Sequence, residues 1–313
     1  MTTTPDPTHF DHKDVSRRKL RVRHKTVYTY AGQVDSSKHA LHLRPIDDWR
    51  QTLISYNLRV SPQANVIEFE DVFGNWAQRF ELTSPYQTLE IEADSVVELI
   101  DVDPFAFARQ AIRPQFPLMW MPWERTMLGP YLAPVELPEA QLQQLYDHAM
   151  GLVQANNGDL METLFAINLS FFREYQYAPG TTTIDTTPFE TFIARQGVCQ
   201  DFANLFITMA RLLGIPARYV CGYLFTGNTG NSRAGSDATH AWVQLYIPTI
   251  GWKDFDPTNG VLPNTGHIRT GYGRHYGDVS PTSGTVIGAN RGAESLTIDV
   301  EVAEVEPATA PTA

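Results

Sequence analysis

Apolar residues in the first third of the chain fall on alternate positions. Leu20, Val22, Tyr28 and Tyr30 occupy even positions among charged and polar neighbours. Ile54, Tyr56, Leu58 and Val60 repeat the alternation, with Ser55, Asn57 and Arg59 between them. Trp76, Phe80 and Leu82 make a third run, and Leu89, Ile91 and Ala93 alternate with Glu90, Glu92 and Asp94. A period of two with one polar face predicts antiparallel strands wetted on one side. Asp71-Val72-Phe73-Gly74-Asn75 carries turn chemistry between two of these runs. Residues 18–103 are therefore predicted to form an all-β, sandwich-like domain behind a disordered polar tail at residues 1–17.

The pattern then changes twice. Between 104 and 138, Pro114, Pro117, Pro122, Pro130 and Pro134 interrupt any long helix or central strand, and the segment reads as a linker whose Trp120 and Trp123 pack against both neighbouring domains. From Glu139 the spacing turns helical: Leu142, Leu145, Tyr146 and Ala149 share one face, as do Leu160, Leu164, Ile167 and Phe171. Residues 139–290 form the second predicted domain, mixed in α and β. Residues 291–313 close the chain with a strand from Leu296 to Val305 and a disordered Pro/Ala/Thr tail.

Candidate chemistry enters at Gly197-Val198-Cys199-Gln200-Asp201. After Cys199, apolar residues recur at Phe202, Leu205, Phe206, Met209, Leu212 and Leu213, the stripe of a buried helix, and Gly214 and Pro216 stop it. Cys199 thus falls in the first turn. Unpaired N–H groups and the positive end of the helix dipole there favour a thiolate and can also hold an oxyanion. Cys221, inside the strand-like Arg218–Tyr223, reads as a buried structural residue.

A strand follows in which Ala241, Val243, Leu245 and Ile247 alternate with His240, Trp242, Gln244 and Tyr246. Pro248-Thr249-Ile250-Gly251 turns it back into Trp252–Asp256. A five-residue loop pairs Tyr246 with Trp252, which sets Asp256 diagonal to His240 on the same face and leaves Asp254 opposite Gln244. A nucleophile, a base and a carboxylate that fixes the base are the parts of Cys–His–Asp catalysis.

Composition narrows the field. A net charge of −11 argues against nucleic acid, which needs a basic surface. Two cysteines make neither a disulfide scaffold nor a zinc set, and the remaining histidines, such as His9 and His12 or His39 and His42, form no convincing metal group. The polar start has no signal-peptide core, and no stretch is long and apolar enough for a membrane span. These features predict a cytoplasmic protein with no metal, no cofactor and no membrane partner.

Four ordered runs resemble the transglutaminase-like superfamily, in its bacterial branch. They are Gly197–Ala203, Leu213–Val220, Ala238–Trp242, and Gly251-Trp252 with Phe255–Asn259. Leu41-His42-Leu43-Arg44-Pro45 and Asp71–Asn75 look like that branch's N-terminal region. The resemblance implies an α+β, papain-like core with Cys199, His240 and Asp256 as a triad, and a peptide or protein substrate attacked at an amide through a thioester. Hydrolysis or deamidation and transfer to an amine both remain open, and a non-catalytic binding module is the alternative. Where the branch commonly reads Gly-Arg-Asp-Tyr, this chain has Gly273-Arg274-His275-Tyr276. Tyr177, before the nucleophile helix, is a packing residue or a second oxyanion donor.

Overall fold

The computed structural model describes residues 16–106, 113–227, 239–288 and 293–305. The tails expected at the two ends, with His9 and His12, lie outside the described residues, except that Arg17 already opens the first strand. The alternating segments form β1 (Arg17–Val34), β2 (Ser36–Leu41), β3 (Gln51–Ser61), β4 (Ile67–Glu70), β5 (Trp76–Leu82) and β6 (Tyr86–Ile100). Two strands from the far end of the chain, β13 (Thr282–Ile287) and β14 (Ala293–Glu304), complete two antiparallel sheets, β14-β1-β6-β3 and β13-β2-β5-β4. Tyr30, Leu41, Phe80, Leu89 and Ile91 fill the space between these sheets. The sandwich is thus closed by both ends of the chain. Residues 282–287, placed by the sequence division in the second domain, pair with β2 instead, a non-local register that leaves no local signal.

Local departures have local causes. The ladder of β3 shifts between Leu53 and Ser55, and Ile54 is turned outward, 51% exposed. In the Asp71–Asn75 turn, Asp71 accepts the N–H groups of Phe73 and Asn75, and Gly74 takes φ +82°. The segment expected as a linker holds a helix, α1 (Pro122–Leu132), because Pro122 sits in its first turn, where a missing N–H costs nothing, and Pro130 only in its last. Trp120 donates to Gly214 O at 2.9 Å and packs on Tyr246 of the second domain. Trp123 is 64% exposed, so the expectation that both tryptophans bridge the domains does not hold.

The second domain contains α2 (Glu139–Ala155), α3 (Leu160–Glu174), α4 (Pro188–Ala194) and α5 (Cys199–Leu212). A short parallel pair, β7 (Gln176–Tyr177) and β8 (Gln196–Gly197), precedes α5. An antiparallel sheet is built from β9 (Ala217–Leu224), β10 (Thr239–Ile247), β11 (Gly251–Phe255) and β12 (His267–Gly273), in the order β11-β10-β9-β12. The α5 stripe of Phe202, Leu205, Phe206 and Met209 is buried with Tyr219, Ala241, Val243 and Leu245 of the sheet. Gly214, at φ +77°, ends α5 and lets Ile215 N–H reach Ala210 O at 2.9 Å. This is the α+β, papain-like core that the sequence predicts.

Apolar packing and polar stitches fasten the sandwich to the core. Leu20, Val22, Val97, Leu99, Val300 and Val302 pack with Tyr223 and Ile268. The side chain of Asn75 donates to Tyr272 O and accepts from Tyr272 N, both at 2.8 Å, which gives the Asp71–Asn75 turn a structural task. No helix among the described residues is long and apolar enough to cross a membrane.

Candidate active site

Cys199 is the first residue of α5, after the extended Val198. Asp201 closes this terminus: its Oδ2 accepts from Val198 N at 2.8 Å and from Thr182 Oγ1 at 2.7 Å. Burial raises the Asp201 carboxyl, against the pull of those two hydrogen bonds. Gly197 leaves the room Asp201 needs, since a Cβ there would lie 2.8 Å from its Oδ2.

The hairpin of β10 and β11 has the register that the five-residue loop requires. Tyr246 pairs with Trp252 and Gln244 with Asp254, and Ile247 pairs with Gly251 as well. His240 Nε2 lies 2.9 Å from Asp256 Oδ2, with both side chains buried. Four further hydrogen bonds hold Asp256. Its Oδ1 accepts Thr258 N at 3.0 Å and Asn259 N at 3.2 Å, and its Oδ2 accepts Asn259 Nδ2 at 2.8 Å and His267 Nε2 at 3.0 Å. The Asp256-Pro257-Thr258-Asn259 run is therefore a turn that aims the carboxylate.

Because an ionised carboxylate only accepts, both histidines donate their Nε2–H. That leaves His240 Nδ1 buried and without a hydrogen-bond partner among the described residues, on a ring that has Cys199 as a neighbour. Burial alone would lower the imidazole; the Asp256 charge and hydrogen bond, with Cys199 beside it, outweigh this and raise it to about 10. For Asp256, burial pulls upward, and the His240 charge and the two histidine hydrogen bonds win, holding the carboxyl well below the usual range.

The sequence reading missed His267. It stands on β12, two strands from His240 across β9, and only this non-local pairing brings the two together. The ligand atoms of His240, Asp256 and His267 lie within 4.8 Å of one another, the one group among the described residues with such geometry. In the structure the three already satisfy one another by hydrogen bonds. Asp254 faces a different set: its Oδ1 accepts Trp242 Nε1 and Gln244 Nε2, and Arg50 of the sandwich reaches its Oδ2 at 3.1 Å.

Cys199, His240 and Cys221 line one cavity of about 130 Å³. Cys221 is buried, and burial pushes its thiol up to about 12, an inert form at neutral pH. Tyr177, on β7 beside Gly197, also meets the Cys199 side chain. Burial first, then Cys199 and the nearby carboxylates, raise the Tyr177 hydroxyl, so it stays a donor. His275, at the departure from the family pattern, is exposed and accepts Gly277 N, while Asp278 supplies the carboxylate that pairs with Arg274 at 2.8 Å.

Comparison with known proteins places this arrangement. A model of the bacterial transglutaminase-like N-terminal region matches residues 20–98, and one of the transglutaminase-like superfamily matches residues 148–257. A protein of unassigned function from Mycobacterium tuberculosis is 33% identical over 308 residues, covering 91% of each chain. The structure of a candidate cysteine protease from Cytophaga hutchinsonii superposes with a TM-score of 0.74 at 23% identity, over 95% of this chain and 93% of that one, a likeness of fold. A shorter match, 38% over 96 residues, links 28% of this chain to 14% of a Pseudomonas aeruginosa protein-glutamine gamma-glutamyltransferase. The chain belongs to the transglutaminase-like superfamily.

Proposed function

We propose that the protein is a cysteine-dependent enzyme that takes an acyl group from a peptide or protein amide through a thioester on Cys199. One observation carries the reading: the buried Asp256 fixes His240 through Nε2 and leaves Nδ1 for the thiol. In this reaction the Cys199 thiolate attacks the carbonyl carbon and the π electrons move to oxygen. First-turn N–H groups of α5, together with the Tyr177 hydroxyl, receive the oxyanion. Collapse breaks the C–N bond, and His240 Nδ1–H protonates the leaving amine. A water or an amine then attacks the thioester, passes its proton to Nδ1 and releases the thiolate. Asp256 keeps its charge throughout and stabilises the imidazolium. The glutamyltransferase relative supports acyl transfer as the class of reaction.

Mass spectrometry of the protein quenched during turnover of a peptide thioester tests the proposal. The acyl mass is expected on Cys199 and absent from Cys199→Ala. Tyr177→Phe is expected to slow acylation about 10²-fold, the cost of one oxyanion donor. Full turnover by Cys199→Ala would contradict the proposal and leave the fold as a binding module.

A further inference from the structure

The cavity beside Cys199 is not made by the core domain alone. On β1, the even-numbered residues share one face. Leu20 and Val22 use that face to pack on Tyr223 and Ile268, which fastens the sandwich to the core sheet. Two positions further along, the same face changes from Leu and Val to His24 and Thr26, and both line the cavity that holds Cys199 and His240. Ile298, the direct partner of Thr26 on β14, lines it too. The face thus serves as glue over one stretch and as a wall over the next.

The wall is fixed in place. His24 Nδ1 lies 2.9 Å from the Tyr223 hydroxyl of the core, and its Nε2 lies 2.8 Å from Thr26 Oγ1. His24 and Thr26 are fully buried, whereas Ile298 is 51% exposed, so the pair makes the floor and Ile298 the rim. Burial lowers the His24 imidazole to about 4, which keeps it neutral. Among the described residues that line it, none is Lys, Arg, Asp or Glu. A charged side chain entering here would shed its water, and the described lining offers it no counter-charge beyond the triad itself. The volume is of the order of the roughly 150 Å³ cavity that takes one benzene ring, so the space suits a few heavy atoms.

We infer that the His24, Thr26 and Ile298 face of the β sandwich is one wall of the acyl-donor pocket, and that Ile298 sets the size of the uncharged acyl group accepted at Cys199. This rests on the reading of Cys199 given above. It assigns the sandwich a part in specificity as well as in stability.

The test compares wild type, Ile298→Trp and Ile298→Ala on acetyl, butyryl and phenylacetyl aryl thioesters. Thr297→Trp, one position along on the opposite face of β14, serves as control. Ile298→Trp is expected to lower kcat/KM for butyryl against acetyl about tenfold, the scale of a methylene misfit in a pocket. Ile298→Ala is expected to raise phenylacetyl turnover, and Thr297→Trp to leave the acyl preference alone. Alkylation of Cys199 by small iodoacetamide should be the same in all four proteins. An acyl preference that does not move in either Ile298 variant, or that moves equally in Thr297→Trp, overturns the wall. If wild type forms no thioester, the acyl-transfer reading fails by itself. The wall is then judged by N-benzyliodoacetamide, whose rate at Cys199 must fall in Ile298→Trp and rise in Ile298→Ala; equal rates overturn it.

Discussion

Asp256→Ala is expected to lower kcat on a thioester or amide substrate by about 10³- to 10⁴-fold, and to destabilise the fold as well. The two losses share one cause. Asp256 is wholly buried and accepts five hydrogen bonds, from His240, His267, the Asn259 side chain and the backbone N–H groups of Thr258 and Asn259. Without the carboxylate, His240 loses both the acceptor that fixes its tautomer and the charge that holds its proton. The stranded donors cost roughly 3–5 kcal/mol, as when one partner of a buried pair is removed. Asp256→Asn separates the effects. It keeps the volume and an acceptor oxygen for the turn, so more stability survives, but its amide cannot serve every donor that the two carboxylate oxygens serve. Thermal unfolding beside single-turnover kinetics reads both quantities. A kcat for Asp256→Ala within about tenfold of wild type would remove Asp256 from the mechanism.

Gly222→Ala is expected to destabilise the core by roughly 3–5 kcal/mol, at the upper end for a single substitution. Gly222 sits on β9 between His240 on β10 and Arg269 on β12. A Cβ there would lie 1.9 Å from the carbonyl oxygen of Ile268 and 2.7 Å from the Trp242 ring. A ladder carbonyl has no rotamer through which to yield, so β9 and β12 must part. That displacement also moves His267 away from Asp256, and activity should fall with stability. Gly151→Ala, inside α2 and not followed by a proline, supplies the contrast: among the described residues beyond its chain neighbours and its own helix backbone, nothing lies within 4 Å of its would-be Cβ, and a helical site should tolerate or welcome the methyl. Chemical denaturation of both variants checks the pair, and equal midpoints would contradict the close approach at Gly222.

The sequence showed local periodicity and short-range geometry well. The stripe from Phe202 to Leu213, stopped by Gly214, defined α5 and put Cys199 at its head. The β10–β11 register, resting on an odd loop between two strands adjacent in sequence, singled out Asp256 over Asp254. Non-local pairing was not legible. His267 reaches Asp256 because β12 joins the far side of β9, and β13 and β14 close the sandwich from the opposite end of the chain. The prolines of the 104–138 segment misled for another reason, since their count says less than their position. Pro122 in the first turn and Pro130 in the last bound a helix of 11 residues within the segment expected as a linker.

The reaction proposed for Cys199 depends on its pairing with His240. The Asp256 charge and hydrogen bond, with Cys199 beside the ring, raise the His240 imidazole against its burial and so favour the imidazolium form that such a pair requires. The most direct measurement is the rate of iodoacetamide alkylation at each cysteine as pH is varied, in wild type and in His240→Ala. Cys199 is expected to react well below the ordinary thiol range near pH 8.5 and to lose that reactivity in His240→Ala, while Cys221 stays silent. Two cysteines with the same pH profile, unchanged by His240→Ala, would contradict the pair and the enzyme built on it.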